Sequence, residues 1–452
     1  MKPSVHLFAT LDTKGHEAAF VRDELKKRGV AVTLVDTGCI GESQVKADVK
    51  RAELFEAGGT TLDAARAKGD RGEAVTAAAA GAAALARVRF AQGRVAGVMS
   101  IGGSAGTTIG TAAMRALPIG VPKLMVSTLA STAQAGAYVG TSDTFMLNSV
   151  VDVSGINRIS RAVLSRAAQA MAGMAKERMK PASKSDKPLV AATMFGVTTP
   201  CVERARARLE EAGCEVLVFH ATGAGGKTLE QLARDGLLAG VLDVTTTELA
   251  DELVGGFLTA GRDRLTAAGA AGIPQVVSVG ALDMVNFFAP ETVPAKFTGR
   301  LFHKHNASIT LMRTNAMESA QLGVEIGTKL RDAKGPRAIF LPARGLSAID
   351  RTGAPFDDPT ARRSLYDNVK ANAGDVPVVE LDLHINDPAF ADAMADRLLE
   401  LMGAKRRTKS KGAKKPARLS ASRQLPRPAA VPATPPSRSA SARPASGSRR
   451  SR

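Results

Sequence analysis

The chain has 452 residues, of which 44% are hydrophobic, and this length suits about two or three globular domains. The formal net charge of +18 resembles that of a nucleic-acid-binding protein, but fifteen Lys and Arg and no acidic residue lie between Lys405 and Arg452, so the rest of the chain carries only +3. Three widely separated cysteines, no signal-peptide pattern and no apolar run of about 18 residues predict a cytoplasmic protein without a disulfide framework or a membrane span.

Short apolar segments alternate with helical segments from the start of the chain. Residues 5–10 predict a buried strand, which a turn containing Thr13 and Lys14 joins to a helix over about 16–28. A second strand over 30–35 stops at Asp36, and helical residues 73–90 precede another strand at 95–101. Since strands joined by helices lie parallel, the pattern predicts a doubly wound domain over residues 1–180.

A glycine-rich turn follows the strand at 95–101 and precedes an Ala-rich helix. Its residues are Gly102, Gly103, Ser104, Ala105, Gly106, Thr107 and Thr108. Glycines let backbone amides approach a ligand, and the start of a helix offers unpaired donors to a phosphate. The spacing is neither Gly-x-Gly-x-x-Gly nor that of a Walker loop, and close packing of the helix on the strand is an equal alternative.

A polar stretch at 181–188 predicts a linker, after which a second α/β domain is predicted over 189–403. It begins as the first domain does, with a strand at 189–195, a turn with Thr198, a helix and a strand at 215–220. From 404 to 452 the composition changes to Lys, Arg, Ser, Pro and Ala, which predicts a disordered basic tail. Because aromatic residues do not interleave with its charges, the tail favours weak contact with polyanions.

A second glycine turn follows the strand at 215–220. Its Gly-Lys-Thr ending is similar to a P-loop, but Ala221 stands where the first glycine is required. A backbone nest for an anion needs no such spacing, so we predict a second-domain anion site. Lys227 would supply a mobile charge there or face solvent. The predicted residues are Gly223, Gly225, Gly226, Lys227, Thr246 and Arg300.

Acidic residues and histidines gather further along the chain. The catalytic candidates are Asp283, His303, His305 and Asp350. In a His-x-His segment both rings can point to one side of an extended chain, which suits metal binding, proton transfer or structural hydrogen bonding. No resident metal is predicted. One hypothesis is therefore an enzyme that acts on a small carboxylate or phosphorylated metabolite, with a histidine as general base.

Motifs in both predicted domains together carry a family resemblance. They are residues 9–15 with 36–38, 102–107, 140–143, 222–226, 243–248, 280–287 and 303–306. These segments resemble the Tm-one-like ATP-binding domain family, which includes a plant tobamovirus-resistance inhibitor and bacterial members. The resemblance covers residues 4–402 and implies two Rossmann-like domains with mainly parallel sheets, binding of ATP or a related nucleotide, and a homodimer. It implies no particular reaction, so hydrolysis and simple binding of ATP both stay open.

The leading hypothesis is a nucleotide site in the first domain. Lys14 would offset phosphate charge, Asp36 would accept from a ribose hydroxyl, and Mg²⁺ would accompany the nucleotide as its counterion. The alternatives are a solvated lysine, a strand-ending aspartate and helix-capping hydroxyls. The predicted site residues are Thr13, Lys14, Asp36, Gly102, Gly103, Ser104, Gly106, Thr107, Thr108, Thr141, Ser142 and Asp143. A third hypothesis is an RNA- or protein-binding module that uses the tail.

Overall fold

Two parallel β-sheets, each covered by helices, organise the chain. The computed structural model describes residues 2–67, 69–177 and 186–403, and these all belong to one compact unit. The predicted basic tail, 404–452, and most of the predicted linker, 181–185, lie outside the described residues. The mixed α/β class with parallel, Rossmann-like sheets is therefore confirmed.

The amino-terminal domain contains five strands and seven helices among its described residues. The strands are β1 (Ser4–Ala9), β2 (Val32–Asp36), β3 (Val95–Gly102), β4 (Lys123–Ser127) and β5 (Phe145–Asn148). The helices are α1 (Leu11–Lys27), α2 (Arg51–Ala57), α3 (Leu62–Ala67), α4 (Arg71–Ala91), α5 (Ser104–Arg115), α6 (Ala135–Val139) and α7 (Arg158–Lys176).

The strand order of the first sheet is β2-β1-β3-β4-β5, with every pair parallel. From β1 the chain adds β2 on one side of the sheet, and it then returns to add β3, β4 and β5 on the other side. At such a switch point the turns that follow the two central strands diverge, and a crevice opens beyond their carboxyl ends. The order places this crevice between the β1–α1 turn and the β3–α5 turn.

Alternation along the strands builds a core on both faces of this sheet. Val5 and Leu7 lie on one face of β1 and pack with α1 and α7. Phe8 lies on the opposite face and packs with α2, α4 and α5. Among the described residues α4 is also long and apolar enough to cross a membrane by length and composition. Its residues Ala78 and Ala82 are fully buried against the sheet, so one face of α4 serves as a core helix.

The second domain contains a six-stranded parallel sheet and a small antiparallel sheet. The strands are β6 (Leu189–Met194), β7 (Glu215–His220), β8 (Gly240–Thr245), β9 (Gln275–Gly280), β10 (Met284–Phe287), β11 (Phe302–Lys304), β12 (Thr310–Arg313), β13 (Arg337–Pro342) and β14 (Val378–Leu381). The helices are α8 (Thr199–Glu211), α9 (Ala224–Arg234), α10 (Thr247–Val254), α11 (Ala267–Ala270), α12 (Ala316–Arg331), α13 (Pro359–Asn372) and α14 (Pro388–Leu401).

The parallel sheet has the order β14-β13-β9-β8-β6-β7, so the second domain repeats the switch point of the first between β6 and β8. The antiparallel sheet has the order β10-β12-β11 and is an insertion between β9 and α12. Apolar clusters again fill both faces of the parallel sheet, one with α12 and α13 and the other with α8 and α14.

Candidate functional site

A cleft of about 240 Å³ opens beyond the carboxyl ends of β1 and β3, where the strand order places the crevice. We call it the amino-terminal cleft. It is lined by Thr10, Asp12, Thr13, Lys14, Cys39, Ile40, Arg71, Val75, Gly103, Ser104, Ala105, Gly106 and Asp152. Five of the predicted nucleotide-binding residues lie in it, namely Thr13, Lys14, Gly103, Ser104 and Gly106.

Lys14 lies at a break in α1. Its backbone is not helical, with φ −128° and ψ 22°, although helical residues flank it on both sides. The next amide, that of Gly15, donates to Gln44 Oε1 at 3.1 Å. The Lys14 ammonium makes no hydrogen bond or ion pair with any residue that the structure describes. A lysine without a counter-ion in the wall of a cleft attracts anions.

The β3–α5 turn presents backbone amides to the same cleft. Gly103 is the N-cap of α5 and has no side chain with which to satisfy the first-turn amides. Ser104, Ala105 and Gly106, which carry those amides, line the cleft. Uncapped amides and the positive end of the helix dipole together favour an anionic group at this position.

Close packing explains some glycines of this turn and not others. A Cβ on Gly106 would lie 3.0 Å from the carbonyl oxygen of Ile101, and one on Gly102 would lie 3.1 Å from the Gly106 Cα. Gly102 also has φ +156°, which side chains disfavour. At Gly103 the nearest atom to a Cβ is Thr128 Oγ1 at 3.7 Å. Packing thus accounts for Gly102 and Gly106, while Gly103 borders open space.

The acidic side of the cleft consists of Asp12 and Asp152. Asp12 Oδ2 accepts the backbone amides of Ile40 at 2.9 Å and Gly41 at 3.2 Å. Asp12 Oδ1 is buried and has no hydrogen-bond partner among the described residues. Asp152 is exposed and follows β5. These oxygens can accept hydroxyl hydrogen bonds or meet a cation.

Asp36 does not line the cleft, because its carboxylate is already engaged. Oδ1 accepts from the amides of Leu11 at 3.3 Å and Gly38 at 2.8 Å. Oδ2 accepts from Arg51 Nε at 3.0 Å and from the Ser43 hydroxyl. The side chain is nearly inaccessible and ties β2 to the loop that follows it. We therefore do not assign the ribose contact to Asp36.

Two predicted hydroxyls are also turned away from the cleft. Thr107 Oγ1 donates to the carbonyl oxygen of Gly103 at 2.7 Å and lies 2.6 Å from Ser127 Oγ. Thr108 Oγ1 donates to the carbonyl oxygen of Ser104 at 3.0 Å. Both hydroxyls thus satisfy groups within the fold instead of facing a ligand.

The predicted contacts from Thr141, Ser142 and Asp143 lie at the opposite edge of the sheet. These residues precede β5, and in a parallel sheet the turn before a strand lies at the other end from the turns that follow its neighbours. Asp143 there pairs with the buried ammonium of Lys123 at 2.5 Å and accepts the Gly120 amide at 2.7 Å. They do not belong to the cleft.

The backbone amides of the second glycine turn already bind an anion, the Glu248 carboxylate of the same chain. Glu248 Oε1 accepts the amides of Gly223 at 2.7 Å and Gly226 at 3.0 Å, and Glu248 is fully buried. A Cβ on Gly225 would lie 2.0 Å from the carbonyl oxygen of His220, so the turn also packs directly against β7. An external anion has no access to these amides, and we do not retain the predicted second-domain anion site.

Arg264 holds this part of the second domain together. Its guanidinium is fully buried and bonds to Glu248 at 2.7 Å and to both oxygens of Asp243 at 2.6 and 2.7 Å, with Glu230 at 3.4 Å. Burial alone would lower the pKa of Arg264, but Asp243 and the other carboxylates hold it well above its usual value. The cluster is a structural ion network.

The remaining members of the predicted anion site are dispersed. Thr246 Oγ1 donates to the carbonyl oxygen of Ser278 at 3.1 Å, and Lys227 is exposed. Arg300 makes a two-point pair with Glu318 at 2.9 and 2.7 Å. Arg300 thus connects the loop before β11 to α12, and its guanidinium is already engaged by Glu318.

Two of the catalytic candidates, Asp283 and Asp350, come together in the interior of the second domain. Asp350 pairs with Arg313 at 3.3 Å and Arg362 at 2.9 Å, and Asp283 accepts from Ser347 Oγ at 2.7 Å. Burial, and then the neighbouring Asp350 carboxylate, raise the pKa of Asp283 to about 7. Both carboxylates are inaccessible to solvent, which does not suit contact with a substrate.

The histidine candidates lie on the antiparallel hairpin. His303 is half-buried on β11, with its ring edge-on to Phe356 at a centroid distance of 6.1 Å. His305 is exposed, and its amide donates to the carbonyl oxygen of Ile309 at 3.1 Å. No hydrogen bond or ion pair between described residues joins either histidine to Asp283 or Asp350.

The raised pKa of Asp283 predicts a stability difference that depends on pH. Because the folded protein holds this proton more tightly than the unfolded chain does, Asp283 makes the free energy of unfolding fall as pH rises from about 4 to about 7. Asp283→Asn is expected to remove that fall, so variant and wild type diverge most above pH 7. Urea unfolding at pH 5 and pH 8 measures this, with the exposed Asp375→Asn as control. Parallel pH profiles for Asp283→Asn and wild type would refute it.

Eight cleft residues are not among the predicted site residues, and they include Asp12, Ile40, Arg71 and Asp152. Asp12 lies in the polar turn after the first strand, so its position after a buried strand was an available signal. Ile40 is 62% exposed, which is unusual for an isoleucine and becomes visible only in the folded structure. Arg71 and Asp152 reach the cleft from distant parts of the chain, and no local pattern marks them.

Both domains match models of one protein family. The model described as the N-terminal domain of the uncharacterised protein family UPF0261 matches residues 3–180, and the corresponding C-terminal domain model matches residues 187–402. The chain belongs to the UPF0261 family.

Relatives of this family occur in bacteria and in a plant. A UPF0261 protein of Clostridium tetani is 47% identical over 404 residues, covering 89% of this chain and all of that protein. One from Mesorhizobium japonicum is 46% identical, covering 86% of this chain and 97% of that protein. The ToMV resistance protein Tm-1(GCR237) of Solanum lycopersicum is 45% identical over 314 residues, 68% of this chain and 42% of that protein. The likeness to the plant protein is thus confirmed, while ATP binding stays a prediction.

Proposed function

We propose that this protein binds a nucleotide, ATP or a close relative, in the amino-terminal cleft. The observation that carries the proposal is the meeting of an unpaired Lys14 and the uncapped first turn of α5 across the β1/β3 switch point. Phosphate groups lie against the amides of Ser104, Ala105 and Gly106, and Lys14 balances their charge. The family resemblance, which implies ATP, supports the same ligand.

Other residues of the cleft suit the remaining parts of a nucleotide. The Ser104 hydroxyl donates to a phosphate oxygen, whereas the Thr13 hydroxyl already donates to the Thr10 carbonyl oxygen at 3.4 Å and lies 3.0 Å from Thr10 Oγ1. Arg71, exposed at the start of α4, adds a second cation. Asp12 and Asp152 accept from ribose hydroxyls or meet the Mg²⁺ that accompanies the phosphates. Mg²⁺ arrives with the nucleotide as its counterion.

An apolar side of the cleft distinguishes a nucleotide from inorganic phosphate. Ile40 is largely exposed and borders the cleft together with the partly buried Val75. Burial of Ile40 under a purine ring removes apolar surface from water, which free phosphate cannot do. We therefore place the base against Ile40 and Val75.

Lys14→Ala tests the placement of the phosphates. A charged hydrogen bond contributes about 1.5–3 kcal/mol, so the affinity for ATP is expected to fall by about tenfold to a hundredfold. The affinity for adenosine, which has no phosphate, is expected to stay within about twofold. Isothermal titration calorimetry measures both. Lys26→Ala, at the other end of α1 and exposed, is the matched control. Equal ATP affinities for the Lys14 and Lys26 variants would place the phosphates elsewhere.

The family resemblance supports a proposal about assembly, and the composition of the chain supports proposals about its cellular setting and its basic segment. We propose a homodimer in the cytoplasm, with weak contact between the basic segment 404–452 and polyanions. None of these proposals depends on the geometry of the cleft.

A further inference from the structure

A second cavity, of about 380 Å³, lies at the opposite edge of the first sheet from the nucleotide cleft. Residues before β3 and β4 form one side, and the loop between α9 and β8 of the second domain forms the other. We call it the seam cavity. Cavities at the junction of two domains, apolar with a few polar groups, are favoured positions for small-molecule sites.

The walls of the seam cavity are apolar and only partly covered. Phe90, Ile119 and Val121 come from the first domain, and Leu237 comes from the second. All four side chains are only half-buried, although each packs at the margin of an apolar cluster. An apolar ligand body would remove this surface from water.

One carboxylate, that of Asp235, borders this apolar cavity. Its Oδ1 accepts from Gln231 Nε2 at 2.7 Å, while its Oδ2 is buried and has no hydrogen-bond partner among the described residues. Burial raises the pKa of Asp235, although Gln231, the Ile119 backbone and two nearby cations act in the opposite direction. Asp235 is the charged residue among those that line the cavity, so its negative charge is what a cationic ligand there would meet.

The two nearby cations are already committed to other carboxylates. Lys123 Nζ donates to the Pro118 carbonyl oxygen at 2.7 Å and pairs with Asp143 at 2.5 Å. Arg234 pairs with Asp263 at 3.4 Å. Neither forms an ion pair with Asp235 in the described part of the chain, so no cation there balances the charge of this carboxylate.

We propose that the seam cavity binds a small organic cation, a primary ammonium carried on an apolar body. The ammonium pairs with the Asp235 carboxylate, which lines the cavity, and the apolar body packs against Phe90, Ile119 and Leu237. An ammonium offers both charge and donors to a carboxylate, an alcohol offers a single uncharged donor, and an anion is repelled. Because the cavity takes walls from both domains, a bound cation also stabilises their junction. This site is independent of the proposed nucleotide site.

Three probes of similar shape test the proposal on the full chain at pH 8. They are 2-phenylethylammonium, 2-phenylethanol and 3-phenylpropanoate, with binding followed by calorimetry and by thermal unfolding. The ammonium is expected to bind at least about tenfold more tightly than the alcohol and to raise the melting temperature, while the carboxylate does not bind. Asp235→Asn is expected to reduce the ammonium to the affinity of the alcohol. Asp263→Asn, an exposed carboxylate on the same side of the domain, is the control and leaves binding unchanged.

Several outcomes would overturn this assignment. They are equal binding of all three probes, unchanged ammonium binding by Asp235→Asn, and no binding of the ammonium at millimolar concentration. A fourth is binding that appears only when residues 404–452 are deleted, which would assign the cavity to the basic segment of the chain itself. Leu237→Trp, which fills the cavity and leaves Asp235 in place, should abolish binding of the ammonium and the alcohol, and retained binding would place the site elsewhere.

Discussion

Gly103→Asp is expected to weaken ATP binding by about a hundredfold or more while the protein stays folded. Gly103 is the N-cap of α5, and Asp is among the best N-cap residues because its carboxylate accepts first-turn amides. The new side chain would therefore occupy the donors that the phosphates need and add a repelling charge. Its Cβ fits, since the nearest atom is 3.7 Å away. Calorimetric titration with ATP measures the loss, and urea unfolding should show equal or slightly higher stability.

Gly103→Ala separates the effect of charge and capping from that of size. Alanine adds the same Cβ but has no acceptor, so ATP affinity is expected to fall by less than about tenfold. If Gly103→Asp binds ATP as the alanine variant does, the first turn of α5 is not where the phosphates lie.

Arg264→Met is expected to destabilise the second domain by about 3–5 kcal/mol. The substitution leaves Asp243, Glu248 and Glu230 buried without their common cation, and uncompensated buried charge is among the most costly changes in a protein. The free energy of unfolding in urea measures the loss. Arg264→Lys keeps a charge but not the several hydrogen bonds, so it should fall between the methionine variant and wild type.

Arg344→Met is the matched control for this prediction. Arg344 also makes a two-point pair with a carboxylate, that of Asp382, but both side chains are mostly exposed. Water and salt screen an exposed pair, so little stability should be lost. Similar losses for the Arg264 and Arg344 variants would contradict the structural role given to the buried network.

The α/β architecture could be predicted because buried parallel strands and their helices leave strong local patterns. The strand predicted at 215–220 is the observed β7, and the helix predicted over 73–90 is α4 with one or two residues added at each end. The helix after β1 was predicted to begin at about 16, whereas α1 begins at Leu11. Residues 12–14 near its start are polar, and the break at Lys14 interrupts the helical period that the prediction used.

The candidate site could be predicted only in part, because sequence patterns locate turns but do not show which groups bind to the turn amides. The two glycine turns look alike in the sequence, yet Glu248 fills one of them and Gly103 leaves the other uncapped. Asp36 ends a strand at the edge of the sheet where the cleft lies, but its Oδ2 already accepts hydrogen bonds from Arg51 and Ser43. These outcomes depend on side chains from distant segments, which local periodicity does not report.

The most direct test of the central claim is a crystal structure of the full chain grown with ATP and Mg²⁺. We expect triphosphate density within hydrogen-bond distance of the Ser104 to Gly106 amides and the Lys14 ammonium, with the purine against Ile40. Well-ordered ATP bound anywhere else on the chain, or an empty amino-terminal cleft at saturating ATP, would contradict it.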